Sequence, residues 1–171
     1  FDVSEQIASS LTEATNVALS KLRDRSKAVK AADRLMKQCP VEYVPLDPFG
    51  LLFVEIGRVQ QAVALLNTFS NWQQQSETRS KIHLALARQL LQNPTRTTRR
   101  NALKNFLSSC RLSPTDSKVW TSLRGVLNLD ALGESDLLYA HEVLSKWSRE
   151  ENSPLQIGQL LDDLESVVPR L

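Results

Sequence analysis

Residues 46–69 read LDPFGLLFVEIGRVQQAVALLNTF, and this stretch decides the fold. Asp47 ahead of Pro48 marks a helix start: the carboxylate is a good N-cap acceptor, and proline suits the first helical position, where its missing N–H has no intrahelical partner to lose. Gly57 interrupts the apolar run, and a second helix follows it. Gly50 and Ala62 are small residues placed where two antiparallel helices press together. Phe53, Leu66 and Phe69 are large enough to seal that contact. The spacing predicts a helical hairpin.

The flanking sequence carries the same signals. On the N-terminal side, Asp2 and Glu5 form a capping box, and Ile7, Leu11, Ala14, Val17, Ala18 and Leu22 recur at helical spacing. A weak break at residues 23–26, with Ser26 as a cap, leaves open whether 3–22 and 26–38 are one helix or two. Pro40, Pro45 and Pro48 make residues 40–48 an extended connector. On the C-terminal side, residues 71–75 are a polar loop, and Ser76 starts a helix that Pro94 ends. Arg96–Arg111, Val119–Leu127 and Leu137–Trp147 follow as helices. Ser153 and Pro154 open a last one, with Ile157, Leu160, Leu161, Leu164, Val167 and Val168 facing inward. No strand pattern occurs, so the chain reads as about nine helices.

The second helices of successive hairpins repeat one another. Ala28, Ala62, Ala102 and Ala140 stand at separations of 34, 40 and 38 residues. Four residues after each come Ala32, Leu66, Phe106 and Leu144; seven after come Leu35, Phe69, Ser109 and Trp147. Pro40 and Pro114 lie twelve after Ala28 and Ala102, with Leu46 and Trp120 six further on. A small residue lets helices approach to roughly 8–10 Å, and a large one a turn later fills the groove. A lone pair cannot bury both apolar faces, so periods of this size imply stacked units.

This pattern resembles the tetratricopeptide repeat family, whose unit is about 34 residues. Leu46, Gly50, Phe53, Gly57, Ala62, Leu66 and Phe69 carry the resemblance best; Ala102, Phe106, Pro114, Trp120 and Leu123 form a second match. Arg124 stands where Gly50 has its counterpart, with Gly125 one place late. The resemblance implies an α-solenoid of stacked antiparallel hairpins: a single all-α domain over 1–171, with repeats over 26–147 and a C-terminal capping helix over 153–171. Because the chain opens on Phe1, it is expected to be part of a longer one.

The resemblance also implies a use. First helices of such arrays line a groove that holds a partner's peptide or helix, which here points to Leu51, Val54 and Glu55, and to Lys118, Thr121, Gly125 and Asn128. Asp47 and Leu51 occupy the places where a carboxylate-clamping subtype has Lys and Asn, so that subtype is not expected. The expected function is a protein–protein interaction scaffold within a larger assembly.

Charge suggests an alternative. Net charge is only +2, yet residues 78–115 hold eight Lys or Arg and no acid, residues 21–37 hold seven against two acids, and residues 130–171 reverse the balance with nine acids against three bases. Arg79, Lys81, Arg88, Arg96, Arg99, Arg100, Lys104 and Arg111 are candidates for an acidic partner or for nucleic-acid phosphates. The acidic last helix, with Asp162, Asp163 and Glu165, reads as a cap or as a docking element.

Catalytic signals are missing from the pattern. His83 and His141 lack zinc-ligand spacing with Cys39 or Cys110, the glycines form no phosphate loop, and no nucleophile–base arrangement is suggested. The expectation is a protein that is not an enzyme and takes no cofactor or metal. Two cysteines make no disulfide framework; both are expected reduced, in the cytoplasm or nucleus. No apolar run reaches the length of about 20 residues that spans a bilayer.

Overall fold

The computed structural model describes residues 3–68, 75–128 and 132–168. Asp2, Phe69 and residues 71–74 of the expected polar loop lie outside that set. Among the described residues the fold is all-α, with nine α-helices and one short 3-10 turn. The chain divides into two compact units, residues 1–85 and 86–171.

In the first unit, α1 (Val3–Ser20) packs on α2 (Arg25–Gln38), and α3 (Leu46–Glu55) packs on α4 (Val59–Thr68). The turn Val41–Tyr43 rests on α1 and α4, and α1 also touches α3. Helices α1 and α2 are separate. Arg23 takes a left-handed φ of 49°, and the Asp24 side chain accepts from Lys27 N, so Asp24 rather than Ser26 is the cap. The expected start at Asp47 holds in its backbone: Asp47 is extended (φ −105°, ψ 123°) inside the span assigned to α3.

Gly57 ends α3 in a Schellman arrangement. Its φ is +80°; Arg58 N donates to Phe53 O at 2.7 Å and Gly57 N to Val54 O at 3.0 Å. Those bonds satisfy two carbonyls that the helix end would otherwise orphan. Gly50 works differently from its expected role. A Cβ built there would collide with Ile82 Cδ1, so the close approach is to α5 (Ser76–Leu90) rather than to Ala62. A guanidinium–carboxylate pair between Arg58 and Asp33 joins the start of α4 to α2, and Arg25 pairs with Glu55 at 2.9 Å.

In the second unit, α6 (Arg96–Leu112) packs on α7 (Ser117–Leu127), and α8 (Glu134–Ser148) on α9 (Leu155–Val167); α6 also touches α8. Each start has a local reason. Thr95 and Thr98 form a reciprocal cap on α6, and the Asp116 side chain accepts from Lys118 N on α7. Asp136 accepts from Gly133 N at the start of α8. Helix α9 begins one residue later than expected, after Pro154, with no side-chain cap. Its buried face is Ile157, Leu160 and Leu164, with Val168 just beyond; Val167, expected inside, is 65% exposed.

The positions picked out by their spacing lie in the core. Ala28, Ala62, Ala102 and Ala140 are all 0% exposed. Ala32, Leu66, Phe106 and Leu144, and then Leu35, Ser109 and Trp147, are buried as well. Trp120 Nε1 donates to Pro114 O at 2.8 Å, tying the proline turn to α7, and the Trp120 and Trp147 rings lie 5.4 Å apart between centroids.

Four measurements check this account. Gly57→Ala should cost about 1–2 kcal/mol in denaturant unfolding, because space is open there and only the left-handed backbone resists the side chain. Gly125→Ala, inside α7 and equally unobstructed, should instead stabilise by up to about 1 kcal/mol. Ala102→Leu should cost about 1–3 kcal/mol by overpacking. For the first unit, the Arg58 hydrogen bond holds the Asp33 carboxyl below its ordinary 3.8. A depressed carboxylate stabilises above its unfolded pKa and loses that contribution as pH falls through the folded one. An NMR titration should place Asp33 below 3.8 in the native chain and return it toward that value in Arg58→Met.

Candidate functional site

Alternate helices are linked by polar side chains 34 to 39 residues apart in the chain. Arg88 of α5 donates to Ser122 of α7 at 3.2 Å, 34 residues on. Arg100 of α6 bonds Asp136 of α8 at 2.9 Å, 36 residues on. Arg124 of α7 bonds Asp163 of α9 at 2.6 Å, and Arg111 at the end of α6 bonds both carboxylate oxygens of Glu150 at 2.8 Å, each 39 residues on. His141 and Glu165 add a contact from α8 to α9 at 3.2 Å.

These links dispose of much of the basic segment. Arg79 is partly buried and donates to Leu66 O at 3.0 Å, where a cation complements the C-terminal end of α4; burial draws its pKa down from the ordinary value. Lys81 pairs with Glu77 one turn earlier at 2.9 Å. Arg99 is half-buried, with its Nε fully enclosed. Arg111 lies 5.0 Å from the Trp147 ring centroid while it holds Glu150. Arg96, Arg100 and Lys104 alone share a recess, of about 380 Å³, with Thr97, Asn101, Ser135 and Asp136. Asp136 is buried, and removing Arg100 would leave that carboxylate enclosed without its cation.

The groove candidates separate too. Val54 is buried, Leu51 half-buried, and Glu55 exposed in its pair with Arg25. Lys118, Thr121, Gly125 and Asn128 are all exposed on α7 or at its end. Thr121 lines a recess of about 170 Å³ between α7 and α9 with Ser117, Arg124, Gln156 and Gln159, over Trp120 and Leu160. Asn128 borders a smaller hollow beside it with Arg124 and Leu160. Gln156 and Gln159 are not singled out by the sequence pattern, which treats α9 only as an acidic cap.

A larger recess, about 750 Å³, runs along α1 to the connector and is lined by Glu5, Thr12, Asn16, Tyr43 and Pro45 among others. The small polar series Ser9, Thr12, Asn16 and Ser20, on one face of α1, is the sequence signal for it.

No family model, no curated protein and no solved structure matches this chain.

Among the described residues, no group of three or more His, Cys, Asp or Glu is placed to hold a metal ion. Among the same residues, no helix is long and apolar enough to cross a membrane. Cys39 and Cys110 are both buried. Burial, with a smaller effect of Asp116, pushes the Cys110 thiol up to about 12. At pH 8 its thiolate fraction is then on the order of 10⁻⁴, and the thiolate is the reactive form. Cys110 should therefore resist a disulfide reagent at pH 8 in the native protein and react at once in denaturant; rapid native labelling of Cys110 would contradict this placement.

Proposed function

We propose that this chain is a helical-repeat scaffold that holds an extended segment of a partner protein. The observation that supports it most is the set of polar links between alternate helices at separations of 34 to 39 residues. Such links align α5, α7 and α9 in one register, as first helices are aligned in a tetratricopeptide-like α-solenoid. In that reading the α7–α9 recess is part of the groove. Its walls carry hydroxyls and amides, and Arg124 there is already paired with Asp163. Uncharged donors and acceptors of this kind suit the backbone of an extended peptide, with Trp120 and Leu160 as an apolar floor.

The nucleic-acid alternative draws less support. Of its eight cations, Lys81, Arg100 and Arg111 hold carboxylates and Arg79 holds a helix end. No catalytic role is proposed for any residue.

The test is a display selection of short peptides on the full chain, followed by titration of the selected peptides. Thr121→Arg combined with Gln159→Arg should weaken binding at least tenfold with the melting curve unchanged, because both residues are exposed. Arg96→Gln combined with Lys104→Gln should leave it unaltered. Peptides that bind equally well to the groove variant, or a chain that selects none, would refute the reading.

A further inference from the structure

We propose that the recess between the first turns of α6 and α8 is a binding site for a phosphate monoester. It uses other helices from the α7–α9 recess, so it stands or falls separately from the scaffold reading.

The case starts from spacing. Arg96, Arg100 and Lys104 follow one another at four-residue intervals and so lie on one face of α6. All three line the recess, with Thr97 and Asn101 as uncharged polar neighbours. The central cation is held in place. Arg100 Nε bonds Asp136 Oδ1 and Arg100 Nη2 bonds Ser135 O, both at 2.9 Å. Its guanidinium carbon lies 4.7 Å from the Tyr139 ring centroid, and Lys104 Nζ lies 5.9 Å from the same centroid. An arginine fixed through Nε and one terminal nitrogen loses little rotamer freedom when it binds, and its second terminal nitrogen, Nη1, retains two donors. Among the described residues, neither Arg96 nor Lys104 is paired with a carboxylate.

Charge selects the ligand class. Three cations against the one Asp136 carboxylate leave two positive charges at the recess. A phosphate monoester carries about −1.5 to −2 at neutral pH. A carboxylate or a phosphodiester carries one negative charge and would leave a cation unmatched. The partial positive charge at the helix starts adds to the same preference. The recess, about 380 Å³, has room for a phosphate group and the atoms that bear it. The group can come from a phosphorylated side chain of a partner protein or from a free phosphorylated small molecule, and the chemistry at the site is the same.

The test is an amide-resolved NMR titration of the full chain at constant ionic strength. The probes are inorganic phosphate, O-phosphoserine, a phosphoserine heptapeptide, its unphosphorylated form, and a short single-stranded oligonucleotide. Inorganic phosphate and O-phosphoserine should give saturable shifts confined to residues 96–104 and 133–137, with millimolar affinity. Arg96→Gln combined with Lys104→Gln should weaken both at least tenfold, and since both residues are exposed the rest of the spectrum should not move. A phosphopeptide at least tenfold tighter than O-phosphoserine identifies a partner's side chain as the source; equal affinity identifies a small molecule. Shifts that never saturate, or that persist in the double variant, would overturn the proposal. So would equal binding of the unphosphorylated peptide, or a preference for the oligonucleotide.

Discussion

Four alanines with no exposed surface set the terms for the rest of this structure. At Ala28, Ala62, Ala102 and Ala140 the helix backbone lies against its neighbours with only a methyl group on its own side. That closeness makes the larger residues one turn later effective: Leu66, Phe106 and Leu144 are buried where a wider gap would leave them half-wet. Each such side chain contributes about 1.5–3 kcal/mol by burial. The ion pairs between helices are mostly half-exposed, as at Arg25–Glu55 and Arg111–Glu150, and pairs of that kind contribute about 0–1 kcal/mol each. Apolar packing therefore carries the stability. The polar links fix which residue faces which.

Part of the uneven charge along the chain serves that second role. Arg100 meets Asp136, Arg111 meets Glu150, and Arg124 meets Asp163. A basic stretch followed by an acidic one is what a chain needs if each helix is to bond the helix after next. Arg96 and Lys104 depart from this arrangement, since neither meets a carboxylate among the described residues. They flank Arg100, the cation with the most buried acidic partner.

Element type was legible because it is written in short-range patterns: the proline connector at 40–48, the break at Gly57, the alanines and their large successors. Boundaries that depend on competition between neighbouring caps were less legible. Asp24 outcompetes Ser26 because its carboxylate reaches the Lys27 N–H. Partners that are distant in the chain could not be read. Nothing in the sequence around Gly50 says that Ile82 is its neighbour, and nothing around Arg79 says that it caps α4 through Leu66. The same limit applied to the candidate sites. A run of eight cations looks like one surface in one dimension, while hydrogen bonds take Arg79, Arg88, Arg100 and Arg111 to other parts of the chain. The first-helix rule placed Thr121 beside a recess, but it could not supply Gln156 and Gln159, whose part depends on how α9 lies against α7.

The two indoles at Trp120 and Trp147 have a spectroscopic consequence. Rings 5.4 Å apart and tilted by 30° are close enough for their excited states to couple, with Arg111 held beside one of them. Such a pair produces a paired positive and negative band in circular dichroism that neither ring gives alone. Because the coupling falls steeply with distance, the band belongs to the contact between Trp120 of α7 and Trp147 of α8. The second unit thus carries its own optical gauge of helix docking, readable without labels and independent of overall helix content.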